Sequence, residues 1–105
     1  MSRIEQIRKL LTSSPDDTFL LYSLGMELLG GGQAQQAAAA FRRVLELDAS
    51  YLAAYTQAAA ALRQTGDIPA AAELLRQGLE LAGRQGDRHA ADRIGLLLEG
   101  LGNHG

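Results

Sequence analysis

The chain has no cysteine and no tryptophan, only two prolines, and few aromatic residues, 5% of the total. Without cysteine there is no disulfide, no thiolate nucleophile and no cysteine-held metal, which fits a reducing compartment. Trp is absent and β-branched residues are scarce, so the apolar 47% is mostly Ala and Leu. These residues lose little side-chain entropy in a helix. Long apolar runs are also missing: nothing approaches the ~18–20 residues that span a bilayer. The opening stretch MSRIEQIRKLL is charged throughout, unlike the apolar core of a signal peptide. Basic clusters are absent too, and with a net charge of −2 an electrostatic grip on nucleic acid is not expected. What remains is the expectation of one cytoplasmic domain of 105 residues, with neither nucleic acid nor membrane as a partner.

Apolar spacing predicts six short helices. Ile4, Ile7, Leu10 and Leu11 share one face of a first helix that Pro15 terminates. Asp16 or Asp17 caps a second helix over 18–30, with Leu21, Leu24, Gly25 and Leu28 on its inner face. A third spans 34–47 with Ala37, Phe41, Val44 and Leu45 inward, and a fourth spans 51–64. The fifth, 69–82, opens on Pro69, where the missing N–H costs nothing. The sixth covers 87–101. The stretch GGGQ at 30–33 is either a flexible linker or a turn, and internal repetition decides between them.

Slid against itself by 34 residues, the chain matches small to small and large to large. Leu21 meets Tyr55, Gly25 meets Ala59, Leu28 meets Leu62, Gly32 meets Gly66, Ala37 meets Ala71 and Phe41 meets Leu75. The tripeptide LEL recurs at 45–47 and 79–81. GGGQ is therefore punctuation at a recurring turn, with Gly30 and Gly31 as a surplus expected to end the second helix early or loosen its last turn. The run Leu21-x-x-Leu24-Gly25-x-x-Leu28 followed by Ala37-x-x-x-Phe41 resembles the tetratricopeptide repeat (TPR), and the chain looks like a small bacterial-type member. The resemblance implies an all-α fold, an α-solenoid of antiparallel helix pairs. It divides the domain into a half-repeat at 3–16, repeat one at 18–51, repeat two at 52–85 and a capping helix at 86–101. In that last helix strict register would bury His89, Asp92 and Arg93. The apolar set is instead Ala90, Ile94, Leu97, Leu98 and Leu101, which points to a shifted register in a cap.

Chemistry-bearing constellations are missing. The only histidines are His89 and His104, and no pair of them with carboxylates has metal-ligand spacing. Asp16 and Asp17 are explained as helix caps, and Asp87, His89 and Asp92 as solvated charges on an end helix. GGGQ lacks the Lys and Ser/Thr of a phosphate loop and follows a helix rather than a strand. No serine has a partner base. The reading is a protein that is not an enzyme and has no cofactor and no metal.

The resemblance implies function through a concave face lined by the first helix of each repeat. By repeat position this face carries Phe19, Tyr22, Met26 and Leu29, then Ala53, Thr56, Ala60 and Arg63. The first set is unusually apolar for a surface, which marks an interface. Its cover is a protein or peptide partner, a second copy in a homodimer, or the chain itself. Relatives that clamp acidic chaperone tails use cationic and amide side chains along this face. Tyr22, Met26, Gln57, Ala60 and Ala91 stand there instead, so few carboxylate donors are expected.

Overall fold

The computed structural model describes residues 1–102. They form α1 (Arg3–Ser13), α2 (Thr18–Gly30), α3 (Ala34–Leu47), α4 (Leu52–Thr65), α5 (Ile68–Arg84) and α6 (Arg88–Gly102), with no strand among them. Each helix packs on the next along the chain, and α2 also meets α4. This is an all-α solenoid, elongated at 40 × 29 × 19 Å.

Capping residues set where the helices begin. Asp17 accepts from the amide of Leu20 at 3.1 Å, Asp67 from that of Ala70 at 3.2 Å, and Asp87 from that of Ala90 at 3.0 Å. Such a cap satisfies amides that the helix itself leaves unpaired. Between α3 and α4, Asp48 accepts from both the amide and the hydroxyl of Ser50, at 3.0 and 2.6 Å. These two bonds hold its carboxyl below the ordinary range. The Tyr55 hydroxyl fastens the same connection by donating to the Ala49 carbonyl at 2.7 Å.

The turns at Gly32 and Gly66 are built alike, as the repeat predicts. Both glycines have left-handed backbones, φ 79° and 89°. Gln33 donates back to the Leu28 carbonyl and Asp67 to that of Leu62, both at 2.9 Å. This is the six-to-one bond that closes a helix over a left-handed residue, a geometry glycine adopts without strain. The surplus glycines do not loosen the end of α2. The helix continues through Gly30, and Gly31 still donates to the Glu27 carbonyl at 3.0 Å.

The core is a zipper of small residues against large ones. Phe41, Leu28, Ile94 and Val44 are the largest fully buried side chains, and no polar or charged residue is buried among the described residues. A Cβ added at Gly25 would stand 2.5 Å from Cε1 of Phe41, so α2 and α3 approach as closely as they do only because position 25 is bare. Gly78 plays the same part between α5 and α4, where an added Cβ would meet Cβ of Tyr55 at 3.0 Å. One expectation is corrected: Leu10 is 56% exposed. Among its neighbours α1 packs on α2, which covers a single stripe of Ile4, Ile7 and Leu11 and leaves the adjacent position in solvent.

These two environments give opposite signs to one substitution. Gly25→Ala gains roughly 1 kcal/mol of helix propensity but forces about 1–3 kcal/mol of overpacking against a ring with nowhere to go. We expect a net loss of about 1–2 kcal/mol in urea unfolding. Gly83→Ala, in open space on α5, leaves stability unchanged or raises it.

Candidate functional site

The even-numbered helices share one concave side. Two adjoining cavities lie there, joined by Thr56, Gln57 and Arg93, which line both. One, of about 400 Å³, is bounded by Tyr22 of α2, by Leu52 and Ala53 of α4, and by His89, Ala90 and Ile94 of α6. The other, of about 160 Å³, lies between Ala60 and Arg63 of α4 and Leu97 and Leu101 of α6, with Leu75 as its floor.

The sequence-predicted site residues divide between two surroundings. Tyr22, Thr56, Ala60 and Arg63 line this continuous concavity, along with Ala53. Phe19, Met26 and Leu29 line neither cavity. Phe19 is 69% exposed one turn before Tyr22, Met26 is 41% exposed one turn after it, and Leu29 is half-buried against the core. Tyr22 is anchored by aromatic contacts, edge-on to Phe41 with centroids 5.5 Å apart and tilted against Tyr51 at 5.1 Å. Thr56 turns its hydroxyl back to the Ala53 carbonyl at 2.9 Å, so it meets the groove chiefly with its methyl.

Sequence reasoning missed Arg93, the α6 residue that lines both cavities. Thirty-four residues beyond Ala59 stands Arg93, yet the buried residue of α6 is the next one, Ile94. His89, Asp92 and Arg93 are all exposed, as the shifted register predicts. The slip has a local cause. α5 runs for 17 residues where α3 has 14, and the α5–α6 connection repeats the glycine turn instead of the Asp48–Ser50 one. Gly86 is left-handed at φ 70°, Asp87 donates to the Ala82 carbonyl at 2.9 Å, and its carboxylate caps Ala90. The signal lies in the dipeptide Gly-Asp, which occurs at 66–67 and again at 86–87.

To the few carboxylate donors expected along this face the same geometry adds one, Arg93. Arg63, Arg93 and Gln57 border one cavity, because the slip rotates Arg93 out of the core line and toward α4. No cluster of three or more metal-ligating side chains exists among the described residues. His104 lies outside them. None of the described helices is long and apolar enough to cross a membrane.

Comparison with known proteins agrees with this geometry. The tetratricopeptide repeat model matches residues 20–51. TPR repeat-containing protein PA0015 of Pseudomonas aeruginosa is 32% identical over 98 residues, covering 93% of each chain. The chain belongs to the tetratricopeptide repeat family. Among solved TPR-like folds it is similar to the type III secretion translocator chaperone SycD of Yersinia enterocolitica. The TM-score there is 0.88 at 20% identity, over 96% of this chain and 70% of that one. It is equally similar to PcrH, solved in complex with the chaperone-binding region of PopD, with TM-score 0.88 and 22% identity over 96% of this chain and 77% of that one. In this TPR chain α6 contributes Ala90, Arg93 and Leu97 to the concave wall, and its buried Ile94 stands one residue later than the repeat's buried Ala59 would place it.

The groove has a spectroscopic reporter. Burial raises the Tyr22 phenol above the ordinary 10.0, the Tyr51 charge adds to this, and Arg93 opposes it. A raised folded-state pKa favours the neutral phenol, so its contribution is complete below the ordinary value and lost as pH rises through the raised one. Alkaline ultraviolet titration should show a late-ionising tyrosine that disappears in Tyr22→Phe. In Arg93→Ala that step should move still higher. An unchanged step would place Arg93 away from the ring.

Proposed function

We propose that the concave face formed by α2, α4 and α6 is a non-catalytic binding site for an extended or helical segment of a partner protein, and that the chain acts as an adaptor. The observation that carries this is a continuous, largely apolar concavity over three alternate helices, with no catalytic constellation in it. A preformed groove suits a peptide because the protein's own ordering cost is met during folding. Each apolar anchor seated there contributes roughly 1.5–3 kcal/mol. Structural neighbours support the reading: PcrH was solved in complex with the chaperone-binding region of PopD, and SycD in complex with a peptide of the translocator YopD. Tyr22, Thr56, Ala60 and Arg63 are the contacts on this reading, extended along α2 by Phe19, Met26 and Leu29.

A second reading is self-association, in which the apolar patch on α2 or the apolar surface of an end helix is covered by another copy. Leu96 of α6 is 67% exposed and Phe19 of α2 is 69% exposed, which is the observation that favours it.

A photo-crosslinking amino acid at Gln57, inside the groove, and at Gln77, exposed on α5, separates these readings. Groove binding gives discrete adducts with other proteins from position 57 and not from position 77. An adduct of twice the chain's mass from position 57 would establish self-association through this face. Equal labelling from both positions would overturn the groove as the site.

A further inference from the structure

The groove has a charge preference that its apolar walls do not supply. The whole chain is acidic, with a net charge of −2, yet the smaller cavity is lined by Arg63 and Arg93 and by no Asp or Glu among the described residues. The larger one adds His89 and a single carboxylate, Asp87, which is engaged as the cap of α6. Elsewhere the arginines serve the fold's outer surface. Arg3 pairs with Glu27, Arg43 with Asp16 and Glu46, Arg76 with Glu73, and Arg84 with Glu80. Arg93 instead borders both cavities and bears electrostatically on Tyr22 across the concavity. A positive wall on an apolar floor, in a chain that is otherwise acidic, is built for a ligand that is apolar and anionic at adjacent points.

We infer that the groove selects a partner segment in which one apolar side chain seats between Ala60, Leu75 and Leu97 while a neighbouring Asp or Glu carboxylate is held by Arg93. This rests on the peptide-binding reading above. The cavity, about 160 Å³, accommodates one such anchor; an apolar cavity of ~150 Å³ takes up a benzene ring. A guanidinium holds a carboxylate through two parallel N–H donors, a bond about twice as strong as a neutral one. The anchor supplies affinity and Arg93 supplies sign, because a basic segment would place like charges together. Arg93 has this role through the Gly86–Asp87 turn, since the uninterrupted repeat would assign its position to the core.

Display selection of random dodecapeptides on the immobilised full chain tests this, run in parallel on Arg93→Glu and on Arg42→Glu, an exposed α3 position outside the groove. The native chain and Arg42→Glu should enrich peptides with Asp or Glu close to an apolar residue, and Arg93→Glu should exchange the acid for Lys or Arg. For the best-enriched peptide, Glu→Gln in the peptide or Arg93→Ala in the protein should each weaken binding about tenfold, the effect of one charged hydrogen bond. The two changes together should weaken it little further. Apolar binders without acid enrichment, or an acid preference that survives Arg93→Glu, would overturn this inference and leave the groove reading standing. Failure to enrich any peptide on the native chain would overturn both.

Discussion

The ring of Phe41 fills the space that a side chain at position 25 would occupy, and this substitution of ring for Cβ sets how closely α2 and α3 lie. With that distance set, Tyr22 finds the edge of Phe41 and the tilted face of Tyr51, and it borders the concave side. The next pair repeats the device with the roles exchanged. Gly78 of α5 admits Tyr55 of α4, and Ile94 of α6 packs on the same spot. Close approach on one side of each helix is what leaves a trough on the other. The groove is thus a consequence of core packing and needs no separate stabilisation, in keeping with interiors that are packed as densely as crystals.

Electrostatics divides the surface in a way that packing alone does not. The described ion pairs have solvent-exposed side chains and contribute little individually. They nevertheless use up carboxylates on the outer faces, while the smaller concave cavity has none in its lining. An adaptor of this build would discriminate among partners by sign and by anchor size more than by total contact area. Area is a poor guide to affinity when ordering costs differ.

Most of the fold was legible because its signals are local and repeated. The small–large matches at 34 residues follow from the need of paired helices to interlock, and the glycines at 32 and 66 from a left-handed backbone that other residues resist. The site was only partly legible. Tyr22, Thr56, Ala60 and Arg63 follow from repeat position, because α2 and α4 keep the period. Arg93 does not, because α5 overruns by three residues and a turn of the Gly66 type replaces the one at Asp48. A 34-residue comparison averages over such a change, whereas the recurrence of Gly-Asp marks it. Leu10 escaped for another reason: periodicity names a face but not how much of it a neighbour covers.

The central claim is that partners are held by the face of α2, α4 and α6 and not by the backs of α3 and α5. Backbone-amide NMR of the labelled chain, recorded as an enriched peptide is added, addresses this most directly. The account predicts shifts concentrated at Tyr22, Thr56, Gln57, Ala60, Ala90, Arg93 and Leu97, with α3 and α5 quiet on their exposed sides. Shifts centred on Arg42, Glu73 or Gln77 would contradict it.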